Sequence, residues 1–175
     1  IVVVGDLHGS FHSIVRILAD LKRRGYIGDD LVLKTGMLVF TGDFVDRSFY
    51  SLETLLVVCA LRVKNGAAVV MLNGNHENVG NLRNGASMWF RYGFLHELDN
   101  DIALANVDKV VQLVYQMPLA LFVKSSVAAV GWTQFSHGFA ELDPDEKGLP
   151  GVREWLLDLD PVRLFYSGGT DVAKE

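Results

Sequence analysis

Three short motifs in the first half of the chain carry residues that bind metals or transfer protons. They are Gly-Asp-Leu-His-Gly at 5–9, Gly-Asp-Phe-Val-Asp-Arg at 42–47 and Gly-Asn-His-Glu at 74–77. Carboxylate and amide oxygens together with imidazole nitrogens form a ligand set for divalent ions such as manganese, iron or zinc. The motifs therefore predict a metal site, provided that the fold brings them together.

Each motif follows a short apolar run of the kind that forms a buried strand. The runs lie at 1–4, 37–40 and 67–72, and such runs are typical of parallel strands that are covered on both faces. Apolar residues at helical spacing follow the first two motifs, which predicts an amphipathic helix that stops at Gly25 and a second helix over 51–64. In α/β proteins of this alternating type, the ends of the strands build the site.

The second half of the chain has a mixed pattern. We expect these elements along it: a helical insertion over about 78–116, strands over 120–123 and 127–132, a loop with Ser-His-Gly at 136–138, and an acidic, loop-like tail from 140 with a short helix at 152–157. No apolar run approaches the roughly 18 residues of a membrane span. We expect residues 1–175 to form a single domain and, because the chain begins inside a strand, to be a fragment of a longer protein.

The composition is that of an ordinary globular protein, with 50% hydrophobic and 21% charged residues among 175. The net charge of −5 argues against nucleic acid as a partner, because binding to its backbone favours a basic face. Bound divalent cations would still attract a phosphate. The only cysteine, Cys59, is predicted to be a core residue. It leaves the redox compartment open and favours a reducing one, such as the cytoplasm.

Taken singly, the polar residues of the motifs have simpler explanations. Asp6 would serve as a turn or N-cap residue before a helix, Arg47 as a partner in a surface salt bridge, and His76 as a solvated loop residue. Glu77 fits either support of the metal ligands or a purely structural role. Three such motifs in order, each after an apolar run, should rarely arise by chance. Taken together, they favour a shared metal site over a separate explanation for each residue.

The motifs resemble those of calcineurin-like metallophosphoesterases, and specifically the phosphoprotein phosphatase family of serine/threonine phosphatases. Further similarities are Ser-Leu-Glu-Thr at 51–54, Tyr-Gly-Phe at 92–94, Met-Pro-Leu-Ala at 117–120 and Ser-His-Gly at 136–138. The first two favour this family over nucleotide phosphoesterases that share the core motifs. The resemblance covers residues 2–138 and implies an α/β fold, in which a β-sandwich of mixed sheets is flanked by helices and carries a helical insertion.

The resemblance also implies a pair of divalent metal ions, with manganese as the first expectation and iron or zinc as alternatives. Asp6, His8 and Asp43 would hold one ion. Asp43, Asn75 and His137 would hold the other, so that Asp43 bridges the two. Such a pair can share a water, lower its pKa toward neutrality and bind the phosphoryl oxygens during in-line attack.

The catalytic residues that the resemblance implies are His76, Asp46 and Arg47. Hydroxide that bridges the metals would attack phosphorus, and Arg47 would bind the phosphate as charge builds up. His76, oriented by Asp46, would protonate the leaving alkoxide. The implied activity is hydrolysis of phosphomonoesters on phosphoproteins, with serine or threonine favoured over tyrosine.

Two alternatives stay open at this stage, namely a hydrolase of dinucleoside polyphosphates or other small phosphate esters, and a catalytically weak binding module with the phosphatase fold. The second is motivated by a departure from the family, because no histidine follows His137 where another metal ligand is usual. A second phosphate-binding arginine is also expected after His137, with Arg153 and Arg163 as candidates. The remaining departures are Ser48 and Phe139 in place of glycine, Asn73 in place of arginine, and a longer spacing between Glu77 and Tyr92. Regulatory partners are left undetermined.

Overall fold

A three-stranded parallel sheet lies at the centre of the fold. The computed structural model describes residues 1–77, 93–101, 104–126, 131–138 and 162–165. The strands of this sheet, in spatial order, are β1 (Val2–Val4), β2 (Leu38–Phe40) and β3 (Val69–Met71). They pair in parallel, with Val3 beside Val39 and Val39 beside Val70. The three predicted strands are confirmed, and each is slightly shorter than the apolar run that indicated it.

Two helices connect the parallel strands, as the sequence predicts. They are α1 (Phe11–Arg23) and α2 (Ser51–Asn65), and a 3-10 turn at Gly66–Ala68 leads from α2 into β3. On α1, Ile14 and Leu21 are buried. The last turn of α1 carries Lys22 and Arg23, whose charge complements the negative end of the helix.

The rest of the described chain contains two helices and a second sheet. The helices are α3 (Phe94–Asp101) and α4 (Leu104–Tyr115), which confirms the helical character of the insertion within the described residues. The strands β4 (Ala120–Lys124), β5 (Trp132–Ser136) and β6 (Val162–Phe165) form an antiparallel sheet with β4 in the middle. None of the described helices is both long and apolar enough to cross a membrane.

The alternation of side chains along β2 divides the interior into two cores. Leu38 and Phe40 belong to the larger core, which they share with residues of the helices. Val39 points the other way and packs with Val70 and with Leu121 of the antiparallel sheet. The two sheets therefore pack face to face, with helices on the outer side of the parallel sheet. The predicted β-sandwich is mixed in the sense that one sheet is parallel and the other antiparallel.

Two predictions for the second half need correction. Of the strand expected over 127–132, the structure describes only residues 131 and 132, and strand β5 begins at Trp132 and continues to Ser136. None of its residues is fully buried, so it lacks the continuous apolar run of a central strand. The tail expected to be loop-like contains β6, whose pairing with β4 joins residues far apart in sequence. The segments 78–92 and 127–130 and the predicted helix at 152–157 lie outside the described residues.

Candidate metal centre

The five predicted metal ligands lie together at one end of the sandwich. Asp6 follows β1, Asp43 follows β2, and Asn75 follows β3. The carboxyl ends of parallel strands meet at one edge of a sheet, and this brings the first three motifs into contact with one another. His137 comes from the other sheet, immediately after β5.

Asp43 occupies the middle of this cluster. Its side chain is only 3% exposed, and its Oδ2 atom lies 3.4 Å from Nε2 of His8 and 3.4 Å from Nε2 of His137. Its other oxygen, Oδ1, accepts a hydrogen bond of 3.0 Å from the backbone amide of His76. Possible metal-binding groups within the described residues are His8 with Asp43 and His76, and Asp6 with Asp43 and His137. Asp43 is the residue that the two groups share.

His8 is held in the tautomer that a metal ligand requires. Its Nδ1 lies 3.0 Å from the carbonyl oxygen of Val45, and because a carbonyl only accepts, Nδ1 must carry the proton. The Nε2 lone pair then faces the carboxylates, and Nε2 is buried without a hydrogen-bond partner among the described residues. A buried acceptor beside negative charge is unfavourable unless a cation is bound there, so the residues fit a metal ion.

The second group is more open to solvent. The Asp6 side chain is 54% exposed, and its Oδ1 lies 3.7 Å from Nδ1 of His137. Nε2 of His137 lies 2.9 Å from the amide oxygen of Asn75. Asp6 also lies 3.8 Å from Nε2 of His8, so it is close to the imidazoles of both groups. Which of these residues would hold which ion therefore remains a prediction.

The three predicted catalytic residues form a hydrogen-bonded chain beside the cluster. Nδ1 of His76 lies 2.8 Å from Oδ2 of the buried Asp46, and the exposed guanidinium of Arg47 lies 3.1 Å from Nε2 of His76. Because Arg47 can only donate, Nε2 accepts and Nδ1 donates to the carboxylate. The catalytic roles themselves remain predictions.

Glu77 lies beneath the centre and is fully buried. Its Oε2 accepts from the amides of Asp43 and Gly74 at 2.7 and 2.9 Å. Its Oε1 accepts from the amides of Phe44 and Val45 at 2.7 and 3.2 Å. Burial raises the pKa of Glu77 to about 7, and the backbone amides act in the opposite direction. The sequence left its role open, and the structure shows it to be the support that joins the second and third motifs.

Two glycines allow the motif loops to approach each other closely. Gly42 has φ +105°, and a Cβ placed on it would come within 2.8 Å of the Asn73 carbonyl carbon and closer still to Gly74. A Cβ placed on Gly74 would meet the backbone nitrogen and the carboxylate of Asp43. The glycine that precedes Asp43 and the one that precedes Asn75 are therefore both required by backbone contact.

Four residues of the site have a left-handed backbone that side chains disfavour. They are His8, Asp43, Asp46 and Arg47, with φ of 44°, 53°, 65° and 68°. Each such residue costs about 1–3 kcal/mol and persists only where the surroundings enforce it. These values occur in the same motif loops that carry the predicted metal ligands and catalytic residues.

Several departures from the family pattern have a definite place in the structure. Asn73, in place of arginine, donates from Nδ2 to the carbonyl of Val114 at 3.0 Å and ties β3 to the end of α4. Ser48 is half-buried next to the site. Of the candidate second arginines, Arg163 lies in β6. Arg153 and Phe139 lie outside the described residues.

Comparison with known proteins agrees with this geometry. A family model described as calcineurin-like phosphoesterase matches residues 1–167. The chain belongs to this family. The calcineurin-like fold is the one expected from the motifs, and the two groups of His and Asp residues that share Asp43 could hold a metal ion.

Two relatives are phosphatases by name. Serine/threonine-protein phosphatase PP1-1 of Saccharomyces cerevisiae is 30% identical over 154 residues, which is 87% of this chain and 42% of that protein. A solved protein serine/threonine phosphatase from Saccharomyces cerevisiae, with similarity to human phosphatase PP5, is 27% identical with a TM-score of 0.53. That likeness covers 67% of this chain and 33% of the other. The chain thus spans less than half the length of both relatives.

Replacing Glu77 by Gln tests its role as the support. The amide group would turn an N–H donor toward two of the four backbone amides, so we expect a loss of about 1–3 kcal/mol in the free energy of unfolding for each amide left without an acceptor. Urea unfolding of the metal-free protein at pH 8, where the carboxylate is ionised, measures this. The exposed Glu53 provides the control variant, Glu53→Gln. Equal stability of the two variants would contradict the role.

Proposed function

We propose that this protein is a metal-dependent phosphomonoesterase that acts on phosphoproteins, with phosphoserine and phosphothreonine favoured over phosphotyrosine. The observation that carries the proposal is the position of the buried Asp43 carboxylate, which lies 3.4 Å from each of two imidazoles at the strand ends. Membership of the calcineurin-like family and the names of the two relatives support the substrate class.

The residues that would hold two divalent ions are those gathered at the centre: Asp6, His8, Asp43, Asn75 and His137. Their oxygen and imidazole donors suit manganese first, with iron or zinc as alternatives. Ions held there would supply Lewis-acid stabilisation of phosphoryl charge and would acidify water.

Arg47 is the residue proposed to bind the phosphoryl group. Its guanidinium is exposed, and such a group can donate two parallel hydrogen bonds to phosphate oxygens. In the structure it donates to Nε2 of His76. When Arg47 turns to a bound phosphate, Nε2 would become available to the substrate.

His76 is the proposed general acid. With Nδ1 held by Asp46, the other ring nitrogen, Nε2, lies 4.0 Å from Asp43, on the side where the phosphoryl group would bind. A proton carried on Nε2 would pass to the leaving oxygen of serine or threonine, which is a poor leaving group without one. Asp46 holds the ring in the required tautomer and stabilises its protonated form.

The substrate class is tested by competition between phosphopeptides and dinucleoside tetraphosphate on the manganese-loaded protein. We expect release of phosphate from phosphoserine and phosphothreonine peptides with the higher kcat/KM. A clear preference for the nucleotide would reject the phosphoprotein assignment and favour the small phosphate-ester alternative.

Replacing Asp43 by Asn should remove both metal and turnover, because this carboxylate lies between His8 and His137 and would hold both ions. We expect elemental analysis to show loss of bound manganese and kcat to fall by roughly 100-fold or more. Chelation of the unaltered protein should reproduce the loss, and added manganese should reverse it. Asp108→Asn, at an exposed position on α4, is the matched control. Full activity of pure Asp43→Asn would exclude a shared ligand.

Replacing His76 by Ala should retain the metals and slow turnover according to the leaving group. On alkyl phosphates we expect a loss of about 10²–10⁴-fold, the usual contribution of a general acid. Aryl phosphates, whose leaving groups scarcely need a proton, should lose far less. The ratio of kcat values on the two substrates measures the effect, and equal losses on both would rule out the acid role.

A further inference from the structure

Helix α2 begins without a cap from its own sequence. The side chain of its N-cap residue, Tyr50, makes no capping hydrogen bond. The first amides of the helix, those of Ser51 and Leu52, donate instead to Glu97 of α3, at 3.1 and 2.6 Å. The amides at a helix start need acceptors and favour a negative charge, so Glu97 stabilises the start of α2 from another helix.

Helix α3, in turn, begins on the carboxylate of Asp46. The backbone amide of Phe94, the first residue of α3, donates to Oδ1 of Asp46 at 2.7 Å. The other oxygen of this carboxylate, Oδ2, lies 2.8 Å from Nδ1 of His76. The amide of α3 thereby fixes which oxygen of Asp46 faces the imidazole.

These contacts run in opposite directions between the same two segments. The carboxylate of Asp46, in the segment that leads into α2, accepts a hydrogen bond from the first amide of α3. The carboxylate of Glu97, in α3, accepts hydrogen bonds from the first amides of α2. We call this set of contacts, made by Asp46, Ser51, Leu52, Phe94 and Glu97, the reciprocal clamp. It differs from a capping box because its three hydrogen bonds join residues that lie 45, 46 and 48 positions apart in sequence.

The reciprocal clamp holds both ends of a short segment with a strained backbone. Asp46 and Arg47 have φ of 65° and 68°, a conformation that non-glycine residues adopt only where neighbouring structure enforces it. The side chain of Asp46 is hydrogen-bonded to α3. The amides of Ser51 and Leu52, four and five residues after Arg47, are hydrogen-bonded to Glu97. Both sides of the strained pair are therefore tied to one helix.

We propose that Glu97 is a positioning residue for the proposed proton transfer: by holding the start of α2 against α3, it keeps Asp46 directed at His76. This inference rests on the proposed function, because it requires that His76 acts as the general acid. Glu97 touches neither ion nor substrate in this arrangement. Its effect is passed on through the backbone between Asp46 and Leu52.

The test replaces Glu97 by Gln, which keeps the size of the side chain but leaves one of the two amides without an acceptor. We expect kcat on alkyl phosphates to fall about 10- to 100-fold, the range in which small misplacements of catalytic groups act, with a smaller loss on aryl phosphates and little change in KM. Glu53→Gln removes an exposed carboxylate from the same first turn of α2 and should change neither rate. Metal content should be equal in all variants.

A second readout needs no turnover. In the metal-free protein, the Nδ1 proton of His76 is expected at low field in the NMR spectrum because of its hydrogen bond to Asp46, and Glu97→Gln should shift or broaden it while Glu53→Gln leaves it unchanged. If Glu97→Gln does not fold, Glu97→Asp, whose carboxylate is one methylene shorter, is measured in the same way.

The outcomes separate the inference from the function on which it rests. A selective loss on alkyl phosphates together with a changed His76 signal supports the positioning role. If His76→Ala shows the selective loss and Glu97→Gln loses both activities equally, or neither, the positioning role is overturned and the general acid stands. If His76→Ala itself shows no selectivity, the general acid is overturned and the positioning role with it.

Discussion

Two carboxylates are buried next to each other where β2 and β3 end, and their charges must be compensated. Asp43 and Glu77 are 2% and 0% exposed. Burial raises the pKa of Glu77, and so does the charge of Asp43, while the surrounding amides lower it. Glu77 receives four backbone hydrogen bonds, whereas Asp43 receives one backbone amide and faces imidazoles. The remaining charge on Asp43 would therefore attract cations, and the surrounding loops supply the hydrogen bonds that Glu77 needs.

The loops that meet these demands are not in relaxed conformations. The amides of Asp43, Phe44 and Val45 converge on Glu77, and this requires a sharp turn with Asp43 at φ 53°. The carbonyl of Val45 in the same turn fixes the tautomer of His8. The N–H groups of this turn thus donate to the Glu77 carboxylate, and its Val45 carbonyl accepts from the imidazole of His8. These hydrogen bonds compensate for the strain in the turn.

The sequence predicts those parts of the fold that local pattern controls. Apolar runs located β1, β2 and β3, and helical spacing located α1 and α2, because burial of a regular face is a local property. The clustering of Asp6, Asp43 and Asn75 was predictable because each follows such a run, whereas His137 follows β5, which has none. Edge strand β5 and strand β6 were misplaced or missed, since their pairing with β4 depends on distant residues. Glu97 gave no local signal, because its partners are backbone amides of another helix.

The origin of the ligands in two different layers has a consequence for the whole sandwich. Asp43 and Asn75 extend from the parallel sheet, whereas His137 extends from the antiparallel one. Among the described residues, the buried side chains of the apolar contact between the layers are those of Val39, Val70, Leu72 and Leu121. A cation held jointly by Asp43 and His137 would act as a crosslink between the layers, and its binding energy would be added to their cohesion. Metal binding and the packing of the two sheets against each other would then be coupled, so that each would favour the other.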